Sequence, residues 1–156
     1  MKSELLNFHH YLIRHASIAI SLLIALLAMS CDENSDGKND RREIQDLLYS
    51  FQSSFNFQNI SALMNDFDED YLHNGYTKWS MRERWLDLMA AYEVLTIETL
   101  SIELYETRAI LRLRLRFESS SDSVSYNAPE ELGDISYLSY NGQNWRFFGN
   151  RQLVLK

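Results

Sequence analysis

The chain has 156 residues, with 15 Lys and Arg against 22 Asp and Glu, a formal net charge of −7. A chain this acidic repels phosphate backbones, which argues against general nucleic-acid binding. A single cysteine cannot form a disulfide within the chain, so packing alone must hold the fold.

Met1–His15 places Lys2 and Arg14 among apolar residues, and Ala16–Met29 follows as an uncharged run. Those 14 residues make about 21 Å of helix, short of a bilayer core. A basic stretch, a short apolar stretch and small residues, in that order, have the form of an export signal. Leu27-Ala28-Met29-Ser30-Cys31 resembles the lipobox of bacterial lipoproteins, with Ala28 where that family usually has leucine. The resemblance implies cleavage between Ser30 and Cys31. It also implies a thioether-linked diacylglycerol on Cys31, with chains such as palmitate, and so a membrane anchor. The expected location is the cell envelope, facing outside the cytosol, in the periplasm or at the cell surface. Residues 1–30 are then signal peptide. Their removal takes Lys2, Arg14 and Glu4, leaving 13 Lys and Arg against 21 Asp and Glu, about −8. It also removes His9, His10 and His15, so His73 alone survives. A zinc site of several His or Cys ligands is excluded, and no metal or cofactor is expected.

Residues 31–39 read as a solvated tether and residues 40–152 as the domain, with 153–156 a tail. Asp40 is placed to cap a helix, with Glu43 three residues on. Ile44, Leu47, Leu48, Phe51 and Phe55 repeat at the spacing of one buried helical face, to about Asn56. A short helix is expected over Ile60–Asn65, capped by Asn59, with Leu63, Met64 and Phe67 inward. Asp68–Tyr76 reads as a short strand ending in a turn. A third helix should open at Ser80, boxed by Glu83, with Met81, Trp85, Leu88, Met89 and Tyr92 as its stripe. From Glu93 the period becomes two, with a bulge expected at Glu98-Thr99. Ala109, Leu111, Leu113, Leu115 and Phe117 alternate with Ile110, Arg112, Arg114, Arg116 and Glu118, giving one dry and one charged strand face. Val124–Asn127 reads as an edge strand. Asp134–Tyr140 and Gln143–Gly149 read as a hairpin joined by Asn141-Gly142.

Three helices followed by a bent antiparallel sheet resemble the NTF2-like superfamily, a cone-shaped α+β fold that includes SnoaL-like proteins. The similar stretches are Met64–Gly75, where the second helix meets the first strand, and Asn141–Asn150, a final hairpin with glycine and tryptophan. The resemblance implies a pocket between the concave sheet face and the helices, lined by Tyr71, His73, Trp85, Leu113, Tyr137 and Phe147. Members use that space as an active site, a ligand cavity or a dimerisation surface, so the fold does not choose the function.

His73 is the one candidate acid/base residue, near the strand end where isomerase-like and dehydratase-like members carry theirs. The isomerase pattern wants an aspartate there, and the chain has His73 and Asn74 instead. Tyr71 or Tyr137 would polarise the substrate. Asp66, Asp68, Glu69 and Asp70 lack the spacing of a calcium loop and read as solvated charge. Arg112, Arg114 and Arg116 read as a surface row paired to acids such as Glu98, Glu103 or Glu118, on a face where a second copy would also meet the sheet. No nucleophile elbow or phosphate loop is present. The expected function is non-catalytic binding of a small apolar ligand or a protein partner by a lipid-anchored domain. The alternatives are a small lyase or isomerase using His73, and an envelope assembly subunit acting through homodimerisation.

Overall fold

The computed structural model describes residues 36–151. The signal peptide, Ser30, Cys31, the first part of the tether and the 153–156 tail lie outside the described residues. No helix among the described residues is long and apolar enough to cross a membrane.

Helix α1 spans Asp36–Asn56, and it buries Ile44, Leu48, Phe51 and Phe55 as their spacing dictates. It starts four residues before the expected cap, so the latter part of the 31–39 tether is helical. Asp40 is an internal residue whose carboxylate accepts a hydrogen bond from Trp145 Nε1 at 3.2 Å. Helix α2, Ile60–Met64, is capped by Asn59, whose Oδ1 accepts from the Ala62 N–H at 3.0 Å. Strands β1, Leu72–His73, and β2, Tyr76–Thr77, form a small hairpin in place of the expected single strand and turn. Its turn residues Asn74 and Gly75 have φ of 50° and 86°, the left-handed pair that a two-residue hairpin turn demands. Helix α3 spans Lys78–Ala91 and begins two residues before the expected Ser80. There the Ser80 hydroxyl instead accepts from the Thr77 N–H at 2.8 Å.

The main sheet is antiparallel. Strand β3, Val94–Tyr105, lies along the whole of β4, Arg108–Glu118. On its other edge β4 pairs with β5, Ser123–Ala128, near its C-terminal end and with β6, Tyr137–Tyr140, near its N-terminal end. Strand β7, Trp145–Phe147, closes the order beyond β6. The β3 bulge falls between Thr99 and Ser101, at the exposed Leu100, one step past the expected position. The last hairpin has a four-residue loop, not a tight Asn141-Gly142 turn. Asn141 Oδ1 accepts from the N–H groups of Gln143 and Asn144 at 3.0 and 2.9 Å.

The alternation along β4 sorts its faces as the pattern requires. Ala109, Leu111, Leu113, Leu115 and Phe117 are buried, while the arginines between them are exposed. Phe51 and Phe55 of α1, Trp85 of α3 and Phe67, which follows α2, interlock with Phe117 and Phe147 through edge and tilted ring contacts at centroid distances of 4.8 to 6.2 Å. Burying rings of this size supplies most of the favourable free energy of such a core. These rings pack in the space beneath the sheet.

Candidate functional site

The six residues expected to line a common pocket divide into two groups. Trp85, Leu113 and Phe147 are fully buried members of the aromatic core. Neither they nor His73 lines the surface grooves at Glu43–Arg146, Arg108–Arg151 or Phe67–Lys78. Tyr71, His73 and Tyr137 sit together at a seam between the β1–β2 hairpin, the 129–136 loop and β6.

At that seam the Tyr71 ring packs edge-on to Phe67 at 5.0 Å, and its hydroxyl donates to the Asp134 carbonyl at 2.9 Å. Burial pushes the Tyr71 phenol pKa up, helped by the Asp134 charge. The phenol therefore serves as a structural donor. The His73 ring lies 5.7 Å from the Tyr137 ring, and Gly133 packs so closely on it that a Cβ there would stand 3.0 Å from His73 Cε1. Tyr137 is opposite Ile110 in register, on the face of β4 that carries the arginines, not the one that carries Leu111 and Leu113. His73 is thus enclosed at this seam between Tyr137 and Gly133.

The protonation of His73 follows from its neighbours. Asn150 Nδ2 donates to Asn74 Oδ1 at 2.9 Å, which leaves the Asn74 amide nitrogen to donate to His73 Nε2 at 3.1 Å. Nε2 is therefore the acceptor and Nδ1 carries the proton. Nδ1 is buried without a hydrogen-bond partner among the described residues. Burial, with the Arg84 charge nearby, holds the imidazole pKa below its ordinary value, so the ring is neutral near pH 7.

Arg84 also makes an ion pair that the sequence reading missed. Its Nε lies 2.9 Å from Asp134 Oδ2, with Arg84 half-exposed and the aspartate 5% exposed. Burial raises the Asp134 pKa despite the guanidinium beside it. The signal for this pair was present in Leu132-Gly133-Asp134-Ile135. A carboxylate set in an apolar run needs a cation from elsewhere in the fold.

The β4 arginine row is engaged within the chain as expected. Arg114 meets Glu98 directly across the ladder at 2.7 Å, Arg112 meets Glu130 at 2.9 Å, and Arg116 meets Glu118 at 2.9 Å. Among the described residues no cluster of three or more His, Cys, Asp or Glu side chains is placed to hold a metal ion. The clearest mixed apolar and cationic concavity is a groove of about 420 Å³ on the outer face. Arg108, Ile110, Tyr137, Phe148 and Arg151 are among its walls. A second groove, about 560 Å³, mixes polar and apolar surface, with Leu47, Asp66, Trp145 and Arg146 among its walls.

No family model matches the sequence, and no curated protein does. Solved structures do match in shape. Bd1075 of Bdellovibrio bacteriovorus superposes with a TM-score of 0.57 at 15% identity, over 76% of this chain and 42% of that one. The chain thus spans less than half the length of Bd1075. A variant of Rv3472, a Mycobacterium tuberculosis protein of unknown function, gives 0.59 at 14% identity, over 77% of this chain and 74% of that one. An NTF2-like protein of unknown function from Shewanella oneidensis gives 0.52 at 15% identity, over 70% and 94%. Helices packed on a curved antiparallel sheet, in the company of these neighbours, make this an α+β chain with the NTF2-like fold.

Proposed function

We propose that the chain is a lipid-anchored protein of the cell envelope whose NTF2-like domain binds a small apolar ligand or a protein partner at its outer surface, without catalysis. The observation that carries this reading is the buried aromatic cluster beneath the sheet. Phe51, Phe55, Trp85, Phe117 and Phe147 occupy the space where the fold would otherwise hold a ligand. Recognition is then left to surface grooves, of which the one beside Tyr137 and Phe148 offers the most apolar wall. Attachment through Cys31 would hold that surface at the membrane.

The lyase or isomerase alternative depends on His73, and its surroundings weigh against it. A general base needs an accepting nitrogen within reach of substrate. Here the accepting Nε2 is occupied by Asn74, and the ring is 5% exposed.

The test is a titration of residues 36–156 with toluene, followed residue by residue by NMR. Shifts confined to Ile110, Tyr137, Leu138 and Phe148 are expected. Shifts centred on Leu113, Phe117 and Phe147 would mean that the cone opens to ligand, and would overturn the reading.

A further inference from the structure

One face of β4 carries Arg108, Arg112, Arg114 and Arg116. The last three are neutralised by glutamates of the same chain. Arg108 makes no ion pair among the described residues, and its guanidinium carbon lies 6.0 Å from the centroid of the Phe148 ring. Arg151, which follows the last strand, places its own guanidinium carbon 4.0 Å from the same centroid. It too has no ion pair among the described residues. Two cations therefore share one aromatic ring in a groove where no carboxylate answers them.

Both arginines are held on fixed backbone. The Arg151 N–H donates to the Leu72 carbonyl at 2.8 Å, and the Leu72 N–H donates to the Phe148 carbonyl at 3.1 Å. Asn150 and Asn74 exchange two further hydrogen bonds, at 3.1 and 2.9 Å. The turn before Arg108 is tied down by the Tyr140 N–H, which donates to Thr107 O at 2.8 Å. Glu103, opposite Ile110 in the ladder, is engaged elsewhere. It accepts from the Tyr105 hydroxyl at 2.9 Å and lies 3.8 Å from Arg112 Nε.

We propose, building on recognition at the outer surface, that the groove between Arg108 and Arg151 binds a small organic acid, its carboxylate on the two guanidiniums and its apolar body on Ile110, Tyr137 and Phe148. A guanidinium set against a ring keeps its in-plane N–H donors available, and the planar fork matches a carboxylate. The remaining wall is apolar, with Ala109 and Leu138 almost wholly buried behind it. A volume of about 420 Å³ suits a compact molecule of the size of a substituted benzoate. Phosphate would satisfy the cations but not the apolar wall, whereas a carboxylic acid with an apolar body satisfies both.

The test uses the full chain in non-ionic detergent, titrated by NMR with benzoate, its neutral isostere benzamide, and inorganic phosphate. Benzoate should saturate with shifts at Arg108, Phe148 and Arg151, and bind about tenfold tighter than benzamide, since each charge-assisted contact is worth about that factor. Arg108→Gln and Arg151→Gln should each weaken benzoate by about tenfold and leave benzamide unchanged. Arg114→Gln, whose partner is Glu98, should change neither. Equal binding of benzoate and benzamide in the groove would overturn the carboxylate assignment while sparing recognition at the outer surface. Phosphate competing as well as benzoate would overturn it too, reducing the groove to an unselective anion patch. Shifts at Leu113 and Phe117 in place of the groove would overturn both.

Discussion

The side-chain amide of Asn56 pairs with both backbone groups of Leu95, donating Nδ2–H to its carbonyl at 3.2 Å and accepting its N–H at 2.7 Å on Oδ1. One turn earlier on α1, Gln52 Oε1 accepts the Ile97 N–H at 2.7 Å. Near the start of the helix, Arg41 donates to the Ile102 carbonyl at 2.6 Å. Three polar residues of α1 thus occupy four backbone groups along the open edge of β3, which pairs with β4 alone. An open strand edge is a template for pairing with another chain, and this helix covers it with amides and a guanidinium.

Asn56→Ala should therefore lower stability by about 1 kcal/mol, the net worth of the lost pair at a partly wet edge. It should also raise the rate of aggregation on heating. Urea denaturation with light scattering measures both. Loss of stability with no rise in aggregation would show that the edge needs no cover.

Gly149 has φ of +78°, and a Cβ there would run into the Leu72 carbonyl. Gly149→Ala should cost about 1–3 kcal/mol through strain and displacement of the C-terminal segment. Because that segment carries Phe148 and Arg151, benzoate affinity should fall with it. Chemical denaturation and the NMR titration check the two effects together.

Arg84→Leu leaves the nearly buried Asp134 carboxylate without its cation. The expected cost is about 2 kcal/mol, below that of a fully buried pair because Arg84 is half-exposed. Asp134→Asn added to it should recover much of the loss, since the uncompensated charge is the source. A double-mutant cycle by urea melts reads this directly.

Stability should respond to pH through Asp66 and His73 with opposite signs. Burial raises the Asp66 pKa from 3.8 to about 6, partly offset by Arg146. The folded state then holds a proton that the unfolded state has lost, so this residue's contribution falls as pH rises from about 4 to about 6. Asp66 is partly exposed, and screening trims the effect to about 1 kcal/mol. The His73 pKa is lowered by burial from its ordinary 6.5, so its contribution is lost as pH falls below that value. Melts of Asp66→Asn and His73→Gln across pH 4 to 8 should each remove their own slope and leave the other.

The core and element order were legible because each rested on periodicity. Ile44, Leu48, Phe51 and Phe55 could only be one helical face, and Leu111, Leu113 and Leu115 one side of a strand. The pocket was not legible, because the same pattern that marks Trp85 and Phe147 as inward does not say whether the rings meet or leave a gap. That depends on packed volumes across four elements. The surroundings of His73 were not legible for a related reason: a two-residue strand has no period to fix its face. Arg114 and Glu98 were legible as charge opposite charge across the ladder, whereas Glu130, which meets Arg112 from the loop after β5, was not. Arg108 and Arg151 were missed, since the ring that joins them lies 40 and 3 residues away in sequence.

Everything proposed about where this domain works depends on Cys31. The direct measurement is the intact mass of the full-length gene product purified from membranes. The expected species is a polypeptide beginning at Cys31 with the added mass of a diacylglycerol. A species still carrying Met1–Ser30, with no lipid on the thiol, would contradict it.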